Sequence, residues 1–186
     1  MKEPNRADPI PAEGESSALR LRRIIEQYLD FMGRILHSYG VPESDVDDGV
    51  QQVCLVLADK IDRIEPSAER SFVFRTSQRI ASRIRRTRSR RNEVGEEAAA
   101  NTMAALDPEQ IADERRAFDV LGQVLEALED DLRDVFILFE LEELTMAAIA
   151  EMLQIPPGTV ASRLRRAREQ FQARIHSLRC AEERRA

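Results

Sequence analysis

An all-α fold, two small helical domains joined by a flexible linker with a helix-turn-helix in the second, is what this sequence predicts. Three observations carry the prediction. Apolar residues recur at steps of three and four through three long stretches, the spacing of one helical face. Aromatic residues make up 5% of the chain with no Trp, which suits small helical bundles rather than a sheet over a large core. Residues 92–106 (NEVGEEAAANTMAAL) show no apolar period and divide the 186 residues into two parts of domain size.

In chain order, residues 1–17 are polar, with three Pro and one Gly, and are expected to form a disordered tail. The first domain, residues 18–91, opens with a helix from about Ala18 to His37 whose stripe is Leu21, Ile25, Tyr28, Met32 and Ile35. Gly40 and Pro42 end it. Ser44 is placed to cap a second helix, with Asp45, Asp47 and Asp48 in the first turn, where the positive end of the helix dipole favours carboxylates. Its buried stripe reads Val46, Val50, Val53, Leu57, Ile61 and Ile64. A third helix follows Pro66, from about Ser67 to Arg91, with Phe72/Val73, Thr76, Ile80 and Ile84 inward. On another face Arg75, Arg79, Arg83, Arg86 and Arg90 follow at steps of four, four, three and four.

The second domain, residues 107–178, begins at Asp107-Pro108-Glu109-Gln110, an N-cap, a proline at the first helical position and a capping-box partner. Phe118, Leu121, Leu125 and Leu128 continue that helix inward. Asp130 or Asp131 opens the next, which carries Leu132, Val135, Phe136 and Phe139. The stretch TMAAIAEMLQIPPGTVASRLRRAR, Thr145 to Arg168, then reads as two helices and a tight turn. Thr145 caps the first, and Pro156 stops it, because proline lacks an N–H and disfavours helical geometry in the residue before it. Pro157 suits the first turn of the second helix, where Val160, Leu164, Ala167, Phe171, Ile175 and Leu178 form one apolar stripe. Residues 179–186 are read as a tail.

The other face of that last helix begins with Pro157, Gly158, Thr159 and Ser162 and continues with Arg163, Arg165 and Arg166. Short hydroxyls followed by guanidinium groups make up the composition of a helix that enters a DNA major groove. Counting from Val160, Ser162 and Arg166 fall at about 200° and 240°, central on the outward face, and Arg163 at about 300°, near its edge. Central residues can reach base edges, and edge residues meet phosphates. A net charge of −6 argues against nucleic acid only as an average. Residues 70–91 hold nine Arg and no acidic residue, whereas residues 107–143 hold thirteen Asp or Glu against three Arg, so the average hides a basic face and an acidic middle segment, which either balances charge within the chain or keeps the DNA-reading faces off DNA. A solvated helix normally interleaves signs; the arginine stripe does not, and calls for an anionic partner.

TMAAIAEMLQIPPGTVASRLRRAR resembles the −35-reading helix-turn-helix of bacterial sigma factors of the sigma-70 family, extracytoplasmic-function (ECF) type. Gln154 stands where a turn glycine is common, and Ala161 where a lysine is common. SDVDDGVQQVCLVL looks like the same family's polymerase-docking helix, with Asp47, Asp48, Val50 and Gln51 matching and Gln52 replacing a usual Glu. RSFVFRTSQRIASRIRRTRSRR looks like the helix that reads and melts the −10 element, with Phe72 at a common Trp position. Arg79 and Arg83 replace a common Asn and Asp, so no −10 base preference follows. The resemblance therefore implies an alternative sigma factor that binds core RNA polymerase and promoter DNA. It implies docking through Asp47, Asp48, Gln51 and Gln52, −10 contacts from Phe72, Arg75, Arg79, Arg83 and Arg86, and −35 contacts from Pro157, Gly158, Thr159, Ser162, Arg163, Arg165 and Arg166. The compact subgroup without an intervening domain is commonly held inactive by an anti-sigma partner.

No enzyme site is legible. His37 and His176 lack metal-ligand spacing, Cys54 and Cys180 form no CxxC, and there is no P-loop, GxGxxG or nucleophile elbow. No metal or cofactor is expected, and catalysis is left to a partner. The longest apolar run, Val53 to Ala58, is six residues, too short for a membrane span or a secretory signal, and a cytoplasmic protein is expected. The rival reading is a stand-alone helix-turn-helix regulator without polymerase docking.

Overall fold

The computed structural model describes residues 16–93 and 120–184, apart from a few side chains at Ser89 and near the ends of the third and last helices. Most of the expected tail and linker, the capping sequence at Asp107 and the inward Phe118 lie outside the described residues. Among those described there is no strand, and no helix is long and apolar enough to cross a membrane. They fall into two compact units.

In the first unit α1 (Ser17–Ser38), α2 (Glu43–Lys60) and α3 (Glu69–Glu93) pack pairwise into a three-helix bundle. Ile24, Met32, Ile35 and Leu36 of α1 meet Val53 and Leu57 of α2 and Val73, Phe74 and Ile80 of α3, all buried. The helical period was right, but its phase needs correcting. Leu21 and Ile25 are only half-buried, and so are Val46 and Val50, because the innermost line of α2 is Gly49, Val53 and Leu57. A Cβ on Gly49 would stand 2.9 Å from Leu36 Cδ1 and 3.3 Å from Ile84 Cδ1, so α2 approaches its neighbours where it carries no side chain. The expected cap at Ser44 is displaced as well: Pro42 occupies the N-cap position, and the Ser44 hydroxyl bonds the Asp45 carboxylate instead, at 3.1 Å. The α2 stripe ends on a 3-10 turn, Ile61–Arg63, which keeps Ile61 and Ile64 buried after the helix stops, and a second 3-10 turn, Pro66–Ala68, precedes α3.

One buried carboxylate ties this unit together. Glu69, at the start of α3, accepts from Arg20 Nε at 2.7 Å and from both Arg23 Nη atoms at 3.1 Å, and Arg20 also donates to the carbonyls of Ile61 and Ile64. The α1 guanidiniums thereby neutralise the buried charge, and Arg20 adds a second donor to the Ile61 carbonyl, which already accepts from Ile64 N–H, and one to the Ile64 carbonyl beyond the turn.

The second unit contains α4 (described over residues 120–126), α5 (Asp130–Phe136), α6 (Met146–Leu153) and α7 (Pro157–Glu183). Arg133 of α5 donates to the carbonyls of Leu125, Glu126 and Leu128 and so closes the end of α4. After Phe136 the backbone widens into a π-helical turn, Ile137–Leu141, in which Glu142 N–H reaches Ile137 O at 3.0 Å. Val124, Leu132, Val135, Ile137, Leu138, Ile149, Val160, Leu164 and Ala167 form the core, and Phe171 stacks on Phe136 at 4.7 Å between ring centres. Helix α7 runs on to Glu183, past the expected boundary at 178.

Candidate nucleic-acid interface

The turn between α6 and α7 is set by local chemistry. Thr145 Oγ1 accepts from Ala148 N–H at 3.2 Å and opens α6. Gln154, left-handed at φ 56° and ψ 45°, closes it: Gln154 N–H bonds Glu151 O, and Ile155 N–H bonds Ala150 O. The same two-bond cap ends α1, where Gly40 (φ 79°) donates to His37 O and Val41 donates to Leu36 O. Glycine takes this conformation without steric penalty, whereas a residue with a Cβ gives up about 1 kcal/mol. Helix α7 then starts at Pro157, whose missing N–H falls where no helical partner exists.

That start aims α7. Val160, Leu164 and Ala167 are buried, which leaves Pro157, Gly158, Ala161, Ser162, Arg165 and Arg166 exposed and Thr159 and Arg163 half-exposed. Ser162 Oγ donates to Thr159 O at 3.0 Å, so its lone pairs face outward. The guanidiniums are not bare. Arg163 pairs with Asp131, its side chain only 25% exposed; Arg166 Nη2 lies 3.6 Å from Glu129 Oε2; Arg165 bonds Glu169 at 2.8 Å, and Arg168 bonds Glu140 at 2.6 Å beneath its contact with the Phe139 ring. The fold thus sets three carboxylates of the acidic segment, Glu129, Asp131 and Glu140, against arginines of α7.

In the first unit the structure places Arg75, Arg79, Arg83, Arg86 and Arg90 exposed on one face of α3, as the spacing predicts. Phe72, at the common Trp position, is half-buried. Across the groove between α2 and α3, Arg83 donates to Gln52 Oε1, and Arg88 Nη1 lies 3.4 Å from Asp45 Oδ2. Gln52 is thus turned toward α3, while Asp47, Asp48 and Gln51 remain exposed. Leu55 stands on the same outward face as Asp48 and Gln51, one turn further on, and is 65% exposed. Sequence reading passed over it, although an apolar residue out of phase with the buried stripe was the available signal. The neighbouring Cys54 thiol is pushed up by burial, which keeps it protonated at neutral pH.

An all-helical protein with a capped helix-turn-helix and basic, outward-facing helices belongs, as a class, with the DNA-binding transcription proteins. Comparison with known proteins narrows the class. Residues 118–171 match the family model for sigma-70, region 4. The chain is 25% identical over 176 residues to the ECF RNA polymerase sigma-E factor of Escherichia coli (strain K12), covering 89% of this chain and 91% of that protein. It is 23% identical over 172 residues to the ECF sigma factor SigE of Mycolicibacterium smegmatis, covering 91% and 67%. Among solved structures, CnrH in complex with the cytosolic domain of CnrY superposes with a TM-score of 0.61 at 19% identity, over 84% of this chain and 88% of that one. The sigma factor RpoE of Bartonella quintana, in complex with the anti-sigma factor NepR, gives 0.55 at 21% identity, over 84% and 97%. Residues 118–171 are thus similar to region 4 of sigma-70, and most of the chain is similar to extracytoplasmic-function RNA polymerase sigma factors.

Proposed function

We propose that the protein is an alternative sigma factor whose first unit docks core RNA polymerase and contacts the −10 element and whose second unit reads the −35 element. The observation that carries the reading is the outward face of α7, hydroxyls then guanidiniums, presented by a capped turn inside the stretch that matches sigma-70 region 4. Ser162 and Arg166, central on that face, read base edges, while Thr159, Arg163 and Arg165 position the helix against phosphates. The exposed side of α2, Asp47, Asp48 and Gln51 with Leu55 as an apolar anchor, supplies the polymerase contact; Gln52 acts partly through Arg83. Phe72 and the α3 arginines serve the −10 strand. In this reading the protein works in the cytoplasm, leaves catalysis to the polymerase, and takes an anti-sigma factor as a further partner, as the structural neighbour RpoE does in its complex with NepR.

The test is run-off transcription with purified core polymerase on promoters selected from a genomic library. The full chain should direct initiation at discrete sites, and Asp48→Arg should weaken core binding at least tenfold with helicity intact by circular dichroism. A protein that binds DNA but never redirects polymerase would be a stand-alone regulator instead.

A further inference from the structure

The carboxylates that meet α7 come from one place in the fold. Glu129 and Asp131 flank the first residue of α5, and Glu140 lies in the π-helical turn that continues it. Opposite them Arg166, Arg163 and Arg168 lie on neighbouring turns of α7. Two of these pairs engage arginines assigned above to DNA. Partly exposed pairs of this kind add little to folding stability, so their larger effect falls on an anion that approaches the same guanidiniums. We infer that Glu129 and Asp131 form a carboxylate counter-surface that competes with DNA phosphates for Arg166 and Arg163, so that a duplex binds α7 by exchanging ion pairs rather than by meeting bare cations.

The inference rests on the assignment of α7 to DNA. An arriving phosphate must displace a carboxylate already in place, and the released carboxylate then attracts a cation from solution and repels the neighbouring phosphate. Each exchanged pair therefore releases fewer counterions in net than an unpaired arginine would. Through α7 the free protein therefore holds DNA weakly and with a shallow salt dependence, although four arginines line that helix between 163 and 168.

The experiment is titration of the full chain with a short mixed-sequence duplex over a series of potassium chloride concentrations, read by fluorescence anisotropy. Glu129→Gln with Asp131→Asn should tighten binding roughly five- to tenfold at low salt, the scale of two surface pairs. It should also steepen the logarithmic salt slope by up to about 0.9 for each carboxylate removed. Glu151→Gln, which removes an exposed carboxylate from α6, should do much less. In a background of Arg166→Ala the gain from Glu129→Gln should vanish, a readout that a general loss of fold cannot imitate. No gain, or a gain equal to that of Glu151→Gln, overturns the inference. If Arg163→Ala and Arg166→Ala leave binding unchanged, the assignment of α7 to DNA has failed and the inference falls with it; if they weaken binding while the carboxylate variants gain nothing, only the exchange has failed.

Discussion

Helices α3 and α7 both present arginines on an outward face, but the two faces differ in what stands beside the charge. On α3, Arg83 of the stripe meets the Gln52 amide, and Arg88 beside the stripe meets the Asp45 carboxylate. On α7 four arginines, 163, 165, 166 and 168, meet four carboxylates, Asp131, Glu169, Glu129 and Glu140. An amide orients a guanidinium without cancelling it, whereas a carboxylate does both. The α3 face therefore acts at long range as a positive surface, and the α7 face is locally near neutral and acts through the geometry of its individual donors. On the proposed reading, charge gathers nucleic acid on one unit, and shape and hydrogen bonding select it on the other.

The sharpest contrast is with Glu69, a carboxylate–arginine cluster that is buried rather than exposed. Glu69→Gln leaves Arg20 and Arg23 facing a neutral amide in the interior and should destabilise the first unit by about 3 kcal/mol, as breaking a buried pair does. Denaturant unfolding followed separately by probes in each unit should show the loss in the first alone; an equal loss in the second would mean the two units do not unfold independently. A smaller effect is expected where α7 meets bases. On a −35 duplex selected from a random pool, Arg166→Ala should lose roughly 1–3 kcal/mol of binding free energy and lose less on a scrambled duplex. Arg163→Ala, whose guanidinium lies against Asp131, should weaken both duplexes by a smaller and similar amount, and uniform loss from both variants would reduce α7 to an electrostatic anchor. The smallest change tests α3: Arg86→Ala, measured on the polymerase complex, should lower the logarithmic salt slope by about 0.9 on duplex or 0.7 on single-stranded DNA without altering sequence preference. A slope that does not move would show that the stripe touches only solvent.

Much of this arrangement was legible because it is local. The caps at Thr145 and Pro157, the apolar stripe of α7 and the arginine face of α3 depend on residues within a few positions of one another. The left-handed residue at 154 was legible too, since a position that usually holds glycine keeps its backbone geometry when glutamine fills it. Other features depend on approach in space. Gly49 gives no apolar signal, although a side chain there would run into Leu36 of α1 and Ile84 of α3, and Phe74, fully buried, was passed over in favour of Phe72. The pairs that neutralise α7 span 28 residues between Arg168 and Glu140 and 32 between Arg163 and Asp131, beyond any helical period. That the acidic segment balances charge within the chain was legible from composition, but not that its partners are the arginines of α7.

The widened turn at Ile137–Leu141 holds one more residue than an α-helix would need to cover the same rise. It stands between the codons for Glu129 and Asp131 and those for the helix-turn-helix. Loss of a single codon here would let the helix close into regular form, and everything upstream would rotate by about 100° and shift by about 1.5 Å relative to α7. Glu129 and Asp131 would then swing off the arginines, and Leu132, Val135 and Phe136 would turn out of the core they share with α7. The one extra residue thus holds in phase both the apolar face that α5 packs against α7 and the carboxylates it offers to the α7 arginines.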